Sequence, residues 1–273
     1  WTSPIDNQNL AIKISHTRYR PSEVNRLPSN IIENPSNNPN LAPEQVSKLL
    51  SGTKVSIAPR IKNPRTLHEV KRTSPAYKSL SYILGAMKGN LELHQRGFIH
   101  CDIKPANIMV KDDQGILFDL EGIIPKGHQA ETVTQIYYEY FFYKTKNKVF
   151  DEKTDIFSWG ITILEVLNTG SRGFGGSQIF RIFEEKIKNL KQSSTPNKNN
   201  EIENKIFEFI DYSSDIFSRT RDLLKRMLNQ KRSERPNLEE VILELTEIQK
   251  EYEDGYRKLH ISIDEANNAD CIF

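Results

Sequence analysis

The segment from position 98 to position 122 places the strongest constraint on how this chain can fold. Two apolar runs, Ile108–Val110 and Ile116–Phe118, flank a turn at Asp113-Gln114-Gly115. Short apolar runs separated by turn residues predict a β-hairpin. Polar stretches lie immediately before and after this hairpin, so the segment predicts two polar loops joined by a short pair of strands.

The two loops carry residues of complementary chemical types. Asp102 is a carboxylate suited to accept the proton of a hydroxyl group, and Lys104 is suited to contact a phosphate. Asn107 and Asp119 offer the hard oxygen ligands that Mg²⁺ prefers. Any one of these residues alone is most often a solvated turn residue. Their combination, in this order around a hairpin, indicates loops that handle phosphate and metal.

The order of these residues resembles two loops of the eukaryotic-type protein kinases. The kinase catalytic loop has His-Arg-Asp, four further residues and Asn, and this chain has His100-Cys101-Asp102 followed by Asn107. Asp119-Leu120-Glu121-Gly122 resembles the Asp-Phe-Gly metal loop, with Gly one place later. A lysine two places after the aspartate, here Lys104, is typical of serine/threonine kinases. The resemblance implies an α+β, two-lobed protein-kinase-like fold, with a small β-rich N-lobe and a large, mainly α-helical C-lobe.

The resemblance also implies ATP- and Mg²⁺-dependent phosphoryl transfer to Ser or Thr hydroxyls of a protein substrate, with Mn²⁺ as an alternative metal. Asp102 and Lys104 are then the catalytic residues, Asn107 and Asp119 hold the metal, and His100 is a structural tether of the loop. Two alternatives remain open. One is a pseudokinase or adaptor that uses the fold for binding, and the other is a kinase-fold enzyme with a small-molecule acceptor or another transfer chemistry.

Near the N-terminus, Leu10–Ile14 predicts a strand whose Lys13 resembles the kinase Val-Ala-Ile-Lys motif. The resemblance implies that Lys13 clamps the α- and β-phosphates of ATP. It also implies a glutamate partner for this lysine, with Glu33 as the first candidate and Glu23 as the second. No glycine precedes Gly52, so we expect the Gly-rich lid of the kinases to lie upstream of this sequence or to be absent.

A second hairpin is predicted from Gln45–Leu50 and Lys54–Ile61, around a turn at Ser51-Gly52-Thr53. In the kinases such a hairpin leads into a hinge whose backbone hydrogen-bonds to adenine. The resemblance therefore implies an ATP-binding hinge at the end of the second strand. Its residues are Pro59, Arg60 and Ile61.

Two long helices are predicted further along the chain. Ala76–Arg96 has apolar residues at helical spacing, and Lys153–Leu167 is apolar almost throughout, which is typical of a buried helix. The resemblance implies that Asp155 caps the backbone of the catalytic loop. It also implies a buried ion pair between Glu139 and Arg235.

The predicted domains are a partial kinase N-lobe at 1–62, which lacks the strands of the Gly-rich loop, and a C-lobe at 63–273. A stretch at about 186–204, rich in Lys and Asn, predicts a polar insert in the C-lobe. The last predicted helix runs from Leu238 to about Tyr252.

Composition limits the partners and the compartment. The 38 Lys and Arg residues nearly balance 36 Asp and Glu residues, so no nucleic-acid partner is predicted. No apolar run is long enough to span a membrane, and two cysteines are too few for a disulfide framework. We therefore expect a cytoplasmic, reducing compartment. The Asn- and Lys-rich insert favours a bacterial protein that acts in a host cell, and the sequence makes no prediction of the oligomeric state.

Overall fold

In a computed structural model of the chain, the described residues begin with four strands, continue with two helices and four further short strands, and end with three helices. The residues that this structure describes are 10–15, 38–41, 46–50, 53–59, 65–128, 149–168 and 217–269. The architecture is α+β, as predicted.

The first sheet contains β1 (Leu10–Ser15), β2 (Val46–Leu50) and β3 (Thr53–Pro59). Both pairings are antiparallel and the strand order is β1-β3-β2. The predicted hairpin is confirmed for β2 and β3. Its predicted turn was one residue too long, because Thr53 pairs with Leu50 as the first residue of β3.

The second sheet has the order β4-β6-β7. Its strands are β4 (Arg65–Thr66), β6 (Ile108–Lys111) and β7 (Gln114–Leu117). A further short pair joins β5 (Phe98–Ile99) to β8 (Ile124–Pro125).

The hairpin of β6 and β7 is confirmed, but the predicted turn at Asp113-Gln114-Gly115 is wrong. Lys111 pairs with Gln114, so the turn consists of Asp112 and Asp113. Both aspartates have left-handed backbones, with φ of 49° and 58°. Two successive left-handed residues match the twist of the strands that they join, and Asp tolerates this conformation better than most residues.

Gly115 lies inside β7 because a helix passes very close to it. The first helices are α1 (Leu67–Val70) and α2 (Ala76–Gln95), and α2 confirms the predicted helix. A β-carbon on Gly115 would lie 1.7 Å from the carbonyl oxygen of Tyr82 in α2. Only a glycine permits this approach of strand to helix.

Residues 38–41 lie against α2 and β7. Leu41, which is 4% exposed, forms a parallel bridge with Leu117. The Asn40 side chain donates to the carbonyl of Gly115 at 3.0 Å, and the Leu117 amide donates to the carbonyl of Asn40 at 2.8 Å. This contact was not predicted, because the sequence around Asn40 is Pro-broken and polar and carries no pairing signal.

The buried helix α3 (Glu152–Leu167) confirms the prediction for this segment. The Asp151 side chain caps the start of α3 by accepting a hydrogen bond from the Lys153 amide at 3.0 Å. Every residue from Thr154 to Leu167 is buried. A helix that is covered on all sides explains the almost continuous apolar sequence.

Two helices complete the described part of the chain, α4 (Ser218–Met227) and α5 (Leu238–Ala269). The buried face of α5 joins α2 in one hydrophobic core. The predicted end of α5 near Tyr252 is wrong, since the helix continues to Ala269. Tyr256 supports the continuation by packing on Tyr77 of α2, with ring centroids 5.2 Å apart. Among the described residues, no helix combines the length and the apolar character needed to cross a membrane.

Candidate functional site

The loop that carries Asp102 is attached at both ends to the small sheets. It leaves β5 at Ile99, which pairs with Ile124 of β8. It enters β6 through one turn of 3₁₀-helix, Pro105–Asn107. Pro105 at the start of this turn suits its geometry, because proline lacks the amide hydrogen that a first helical residue cannot use.

Asp102 is held by two residues of its own loop. Lys104 Nζ donates to Asp102 Oδ2 at 2.7 Å, and Asn107 Nδ2 donates to the same oxygen at 2.9 Å. Asn107 Nδ2 also donates to the Asp102 carbonyl at 2.8 Å. The side chains of Asp102 and Lys104 are 23% and 22% exposed, so the pair lies at the surface and not in the core.

Asp119 lies on a strained turn next to this loop. Its backbone is left-handed, with φ 63° and ψ 60°, a conformation that is uncommon for residues other than glycine. The Phe118 amide donates to the Asn107 carbonyl at 3.1 Å, so the residue before Asp119 is hydrogen-bonded to the loop that carries Asp102. Leu120 is 2% exposed and lies in the hydrophobic core, which anchors the other side of the turn.

The donor types near this turn suit Mg²⁺. The nitrogen of the Asn107 amide is used to hold Asp102, so the oxygen is the end that remains to bind a metal. Asn107 and Asp119 thus offer only hard oxygen ligands, and Mg²⁺ typically takes few protein ligands beside water and phosphate oxygens. Within the described ranges, no cluster of three or more His, Cys, Asp or Glu forms a metal cage.

The backbone that precedes Asp102 is bound by a buried carboxylate on α3. Asp155 Oδ2 accepts from the His100 amide at 2.9 Å, and Oδ1 accepts from the Cys101 amide at 3.0 Å. Cys101 has a left-handed backbone, with φ 65°. The His100 ring lies 3.2 Å from the carbonyl of Phe118 through Nε2, and its Nδ1 lies 3.3 Å from the Asp102 amide. His100 thus bridges the two loops.

Burial and charge shift the pKa of two groups here. Burial alone raises the pKa of Asp155, but the hydrogen bond and charge of His94, together with His100, outweigh it and the net pKa is lowered. The pKa of the Cys101 thiol is raised well above its ordinary value, first by burial and then by the charges of Asp155 and Asp102. Cys101 therefore stays a neutral thiol and packs as a small apolar residue.

Two further residues that contact Asp155 were missed by the sequence analysis. Asn90 and His94, both on α2, donate to Asp155 Oδ2 at 3.1 and 2.8 Å. The only signal available was their spacing of four residues within the apolar face of a helix. Such spacing shows that two polar residues share a face, and it does not identify what they contact.

Arg235 is a buried arginine, and its guanidinium group therefore needs several hydrogen-bond acceptors. It is 2% exposed, and it donates through Nε to the Asn229 carbonyl at 2.7 Å and through Nη1 to the Lys153 carbonyl at 2.9 Å. Its guanidinium carbon lies 5.1 Å from the ring centroid of Phe157. The expected partner Glu139 lies outside the described residues, and this pairing stays a prediction.

Two of the ATP-binding candidates lie in the first sheet, and their roles stay predictions. Lys13 lies in the middle of β1, opposite Ser56 of β3, and Pro59 is the last residue of β3. Four of the predicted ATP-binding residues lie outside the described ranges. They are Glu23, Glu33, Arg60 and Ile61.

Residues 58–244 match the family described as "Protein kinase domain". The chain is 29% identical over 164 residues to the mouse interferon-induced, double-stranded RNA-activated protein kinase. The aligned stretch is 57% of this chain and 26% of the mouse protein. It is 27% identical over 165 residues to the probable serine/threonine-protein kinase irlC of Dictyostelium discoideum, covering 55% of this chain and 9% of that protein.

A third relative is the pig proto-oncogene serine/threonine-protein kinase mos, at 33% identity over 98 residues, or 33% of this chain and 27% of the relative. The matches therefore span between 9% and 27% of the length of these relatives. The family match includes helices α1 to α4, the start of α5 and both polar loops around the β6–β7 hairpin. This chain belongs to the protein kinase domain family.

Proposed function

We propose that this chain catalyses ATP- and Mg²⁺-dependent phosphoryl transfer to the Ser or Thr hydroxyls of a protein substrate. The observation that carries the proposal is the arrangement at Asp102, whose Oδ2 accepts from Lys104 at 2.7 Å and from Asn107 at 2.9 Å. A carboxylate held in this way has a defined position, and the ammonium group beside it suits a phosphate. Two of the relatives, irlC and mos, are named serine/threonine-protein kinases, which supports the same acceptor class.

In the proposed reaction, Asp102 orients the acceptor hydroxyl and takes its proton. A positioned acid–base group typically contributes about 10²- to 10⁴-fold to a rate. Lys104 steadies the γ-phosphate while it is transferred. Asn107 and Asp119 hold the Mg²⁺, which neutralises the charge of the phosphates when bound.

The nucleotide-binding part of the proposal rests on β1 and β3. Lys13 of β1 clamps the α- and β-phosphates, and the backbone at Pro59, Arg60 and Ile61 binds the adenine. Glu33 is the proposed partner of Lys13, with Glu23 as the alternative. Glu121 adds a carboxylate next to Leu120 in the metal loop, and we therefore retain Mn²⁺ as a second metal to test.

We infer a cytoplasmic site of action, because a chain with two cysteines has no disulfide framework. The proposed partner is a protein substrate, with neither nucleic acid nor membrane as a ligand. The proposed organisation is a partial N-lobe at 1–62 and a C-lobe at 63–273. A bacterial origin with action in a host cell remains the proposal drawn from composition.

In the test, the full-length protein is incubated with Mg²⁺, ATP labelled on its γ-phosphate and one of three acceptor classes. Transfer of the label to each class is measured in parallel. These classes are proteins with Ser and Thr, proteins with Tyr, and small-molecule alcohols. Label on Ser or Thr supports the proposal. Label only on small molecules indicates the small-molecule alternative, and nucleotide binding without any transfer indicates the pseudokinase alternative.

Single substitutions at Asp102 and Asp119 test the role proposed for each residue. Asp102→Asn should cut transfer by about 10²-fold or more while nucleotide affinity is kept, because a general base acts on the acceptor. Asp119→Asn should weaken Mg²⁺-dependent nucleotide binding, since an amide lacks the charge that offsets dehydration of the metal. Asp113→Asn is the matched control, an identical change at an aspartate 76% exposed in the β6–β7 turn, and it should alter neither quantity.

A further inference from the structure

The apolar face of helix α5 is longer than the part that the core covers. In the first half of α5, apolar residues recur every three or four positions and are buried in the core that α5 shares with α2. They are Leu238, Val241, Leu245, Ile248 and Tyr252. Residues at this spacing lie on one face of a helix. Tyr256 and Leu259 follow Tyr252 at four and seven positions, so they continue the same face.

This face becomes exposed where it reaches the start of α2. Tyr256 packs on Tyr77, the second residue of α2, with ring centroids 5.2 Å apart. Tyr252 is buried, whereas Tyr256 is 38% exposed and Leu259 is 60% exposed. α5 continues from Tyr256 to Ala269, a length of about 20 Å at about 1.5 Å per residue. The end of α5 therefore extends beyond the surface of α2.

A third exposed apolar side chain lies beside this face. Phe217, which precedes α4, is exposed, and its ring stacks on Tyr252 with centroids 4.3 Å apart. It also lies 3.8 Å from the position that a β-carbon on Gly255 would take. Phe217, Tyr256 and Leu259 are the residues that we call the α5 patch. Exposed apolar residues that are scattered singly are normal, but a contiguous patch indicates an interaction surface.

The charges beside the α5 patch change sign along the helix. Arg257 and Lys258 are exposed and basic, and the sequence continues with the acidic residues Asp264 and Glu265. Arg257 and Asp264 are seven positions apart, as are Lys258 and Glu265. Seven positions are about two helical turns. By this spacing, each flank of the apolar face has one basic and one acidic position.

Such a charge pattern is complementary to its own reverse. In an antiparallel pair of α5 helices, with a two-fold axis near position 261, the basic positions of each helix lie level with the acidic positions of the other. Leu259 of one helix then lies level with position 263, which is isoleucine. In a parallel pair in register, each charged position would lie beside a like charge, which is unfavourable.

We propose that the α5 patch is a self-association surface, which binds the α5 helix of a second copy of this chain in antiparallel orientation. A two-fold interface requires a surface that is complementary to itself, and the charge pattern of α5 meets this requirement. The helical overlap is short compared with a standard interface of about 1,600 Å², so association should depend on concentration. The patch residues Tyr256 and Leu259 lie beyond the residues that match the kinase family, which end at 244.

The first test measures the mass of the full-length protein by sedimentation velocity between about 1 and 300 μM, a range suited to a small interface. The wild type should change from monomer to dimer over this range. Leu259→Glu places a charge in the α5 patch and should weaken association by at least about tenfold. Leu243→Glu is the matched control, an identical change on the same helix. Leu243 is 72% exposed and lies nine positions before Tyr252, on the opposite face, so this variant should associate like the wild type.

The second test reverses the charges. Arg257→Glu/Lys258→Glu brings acidic residues level with acidic residues and should weaken association by at least about tenfold. Asp264→Lys/Glu265→Lys should have the same effect, because basic residues then face basic residues. The variant with all four substitutions restores opposite charges and should recover association to within about threefold of the wild type. Denaturant unfolding checks that each variant is folded.

Three results together support the proposal: loss of association in Leu259→Glu, retention in Leu243→Glu and recovery in the variant with four substitutions. A wild type that stays monomeric at about 300 μM overturns it, and so does a dimer that Leu259→Glu leaves intact. A monomer whose stability falls in Leu259→Glu would show that another segment of the same chain covers the patch. A dimer that responds to Leu259→Glu but not to charge reversal would refute the antiparallel arrangement.

Discussion

Lys71 and Glu165 form an ion pair inside the protein, between the end of α1 and the buried helix α3. Their side chains are 6% and 1% exposed, and 94 residues separate them in the sequence. Two charges that are removed from water are stable only while both are present. The pair therefore fixes α1 against α3 and makes each residue depend on the other.

Removal of one partner of this pair should be strongly destabilising. Lys71→Met leaves the Glu165 carboxylate buried without its ammonium partner and should cost about 3–5 kcal/mol in the free energy of unfolding. The double variant Lys71→Met/Glu165→Leu should be much less destabilised than the sum of the single variants. Denaturant unfolding of the four proteins measures the coupling, and additive effects would contradict a buried pair. Lys250→Ala, which breaks an exposed pair with Glu247, is the control and should hardly change the midpoint.

Two glycine-to-alanine changes should have opposite effects. Gly115→Ala puts a β-carbon 1.7 Å from the Tyr82 carbonyl oxygen, and the forced separation of β7 from α2 should cost about 3 kcal/mol. Gly255→Ala in α5 meets only Phe217 at 3.8 Å and should stabilise the protein by about 1 kcal/mol through helix propensity. Thermal or denaturant unfolding compares both variants with the wild type. A stability loss of similar size in both would show that the close approach at Gly115 is not the cause.

Cys101 should be unreactive in the folded protein. Burial and the neighbouring carboxylates raise the pKa of its thiol, and only a thiolate attacks an alkylating reagent. After treatment with iodoacetamide at about pH 8, mass spectrometry should find Cys101 unmodified in the native protein and modified after denaturation. Native alkylation at a rate close to that of the denatured chain would instead identify Cys101 as an accessible nucleophile.

Protonation of Asp155 should make the free energy of unfolding depend on pH in the acid range. Its pKa is lower in the folded protein than the ordinary value of about 3.9, so the unfolded chain binds its proton first as pH falls. The contribution of Asp155 is therefore complete above about pH 3.9 and is lost as pH falls further, through the folded pKa. Asp155→Asn should be less stable than the wild type at neutral pH, and this difference should shrink in acid. A difference that stays constant down to about pH 2 would contradict the lowered pKa.

The predictions from sequence succeeded where the pattern was local. Helix α2 repeats apolar residues at helical spacing, and α3 is apolar almost throughout, so each pattern sufficed to locate a helix. The turn of the β6–β7 hairpin was misplaced by the presence of Gly115. Glycine is usually a turn residue, but Gly115 is in a strand because Tyr82 of α2 passes against it.

The sequence by itself determined which residue types lie together at the candidate site, because Asp102, Lys104 and Asn107 are close neighbours in one loop and Asp119 follows the hairpin that this loop enters. Hydrogen bonds between residues so close in the sequence form once the local turn has formed. The bond between Asn107 and Asp102 is an example.

Only the tertiary structure decided which residues hold that site in place. Asn90 and His94 reach Asp155 from another helix, and Lys71 reaches Glu165 across the core. A polar residue on an apolar helix face shows that a buried partner is needed, but not which one. The identity of the partner depends on how two helix faces meet, and this is set by the packing of the whole core and not by any local pattern.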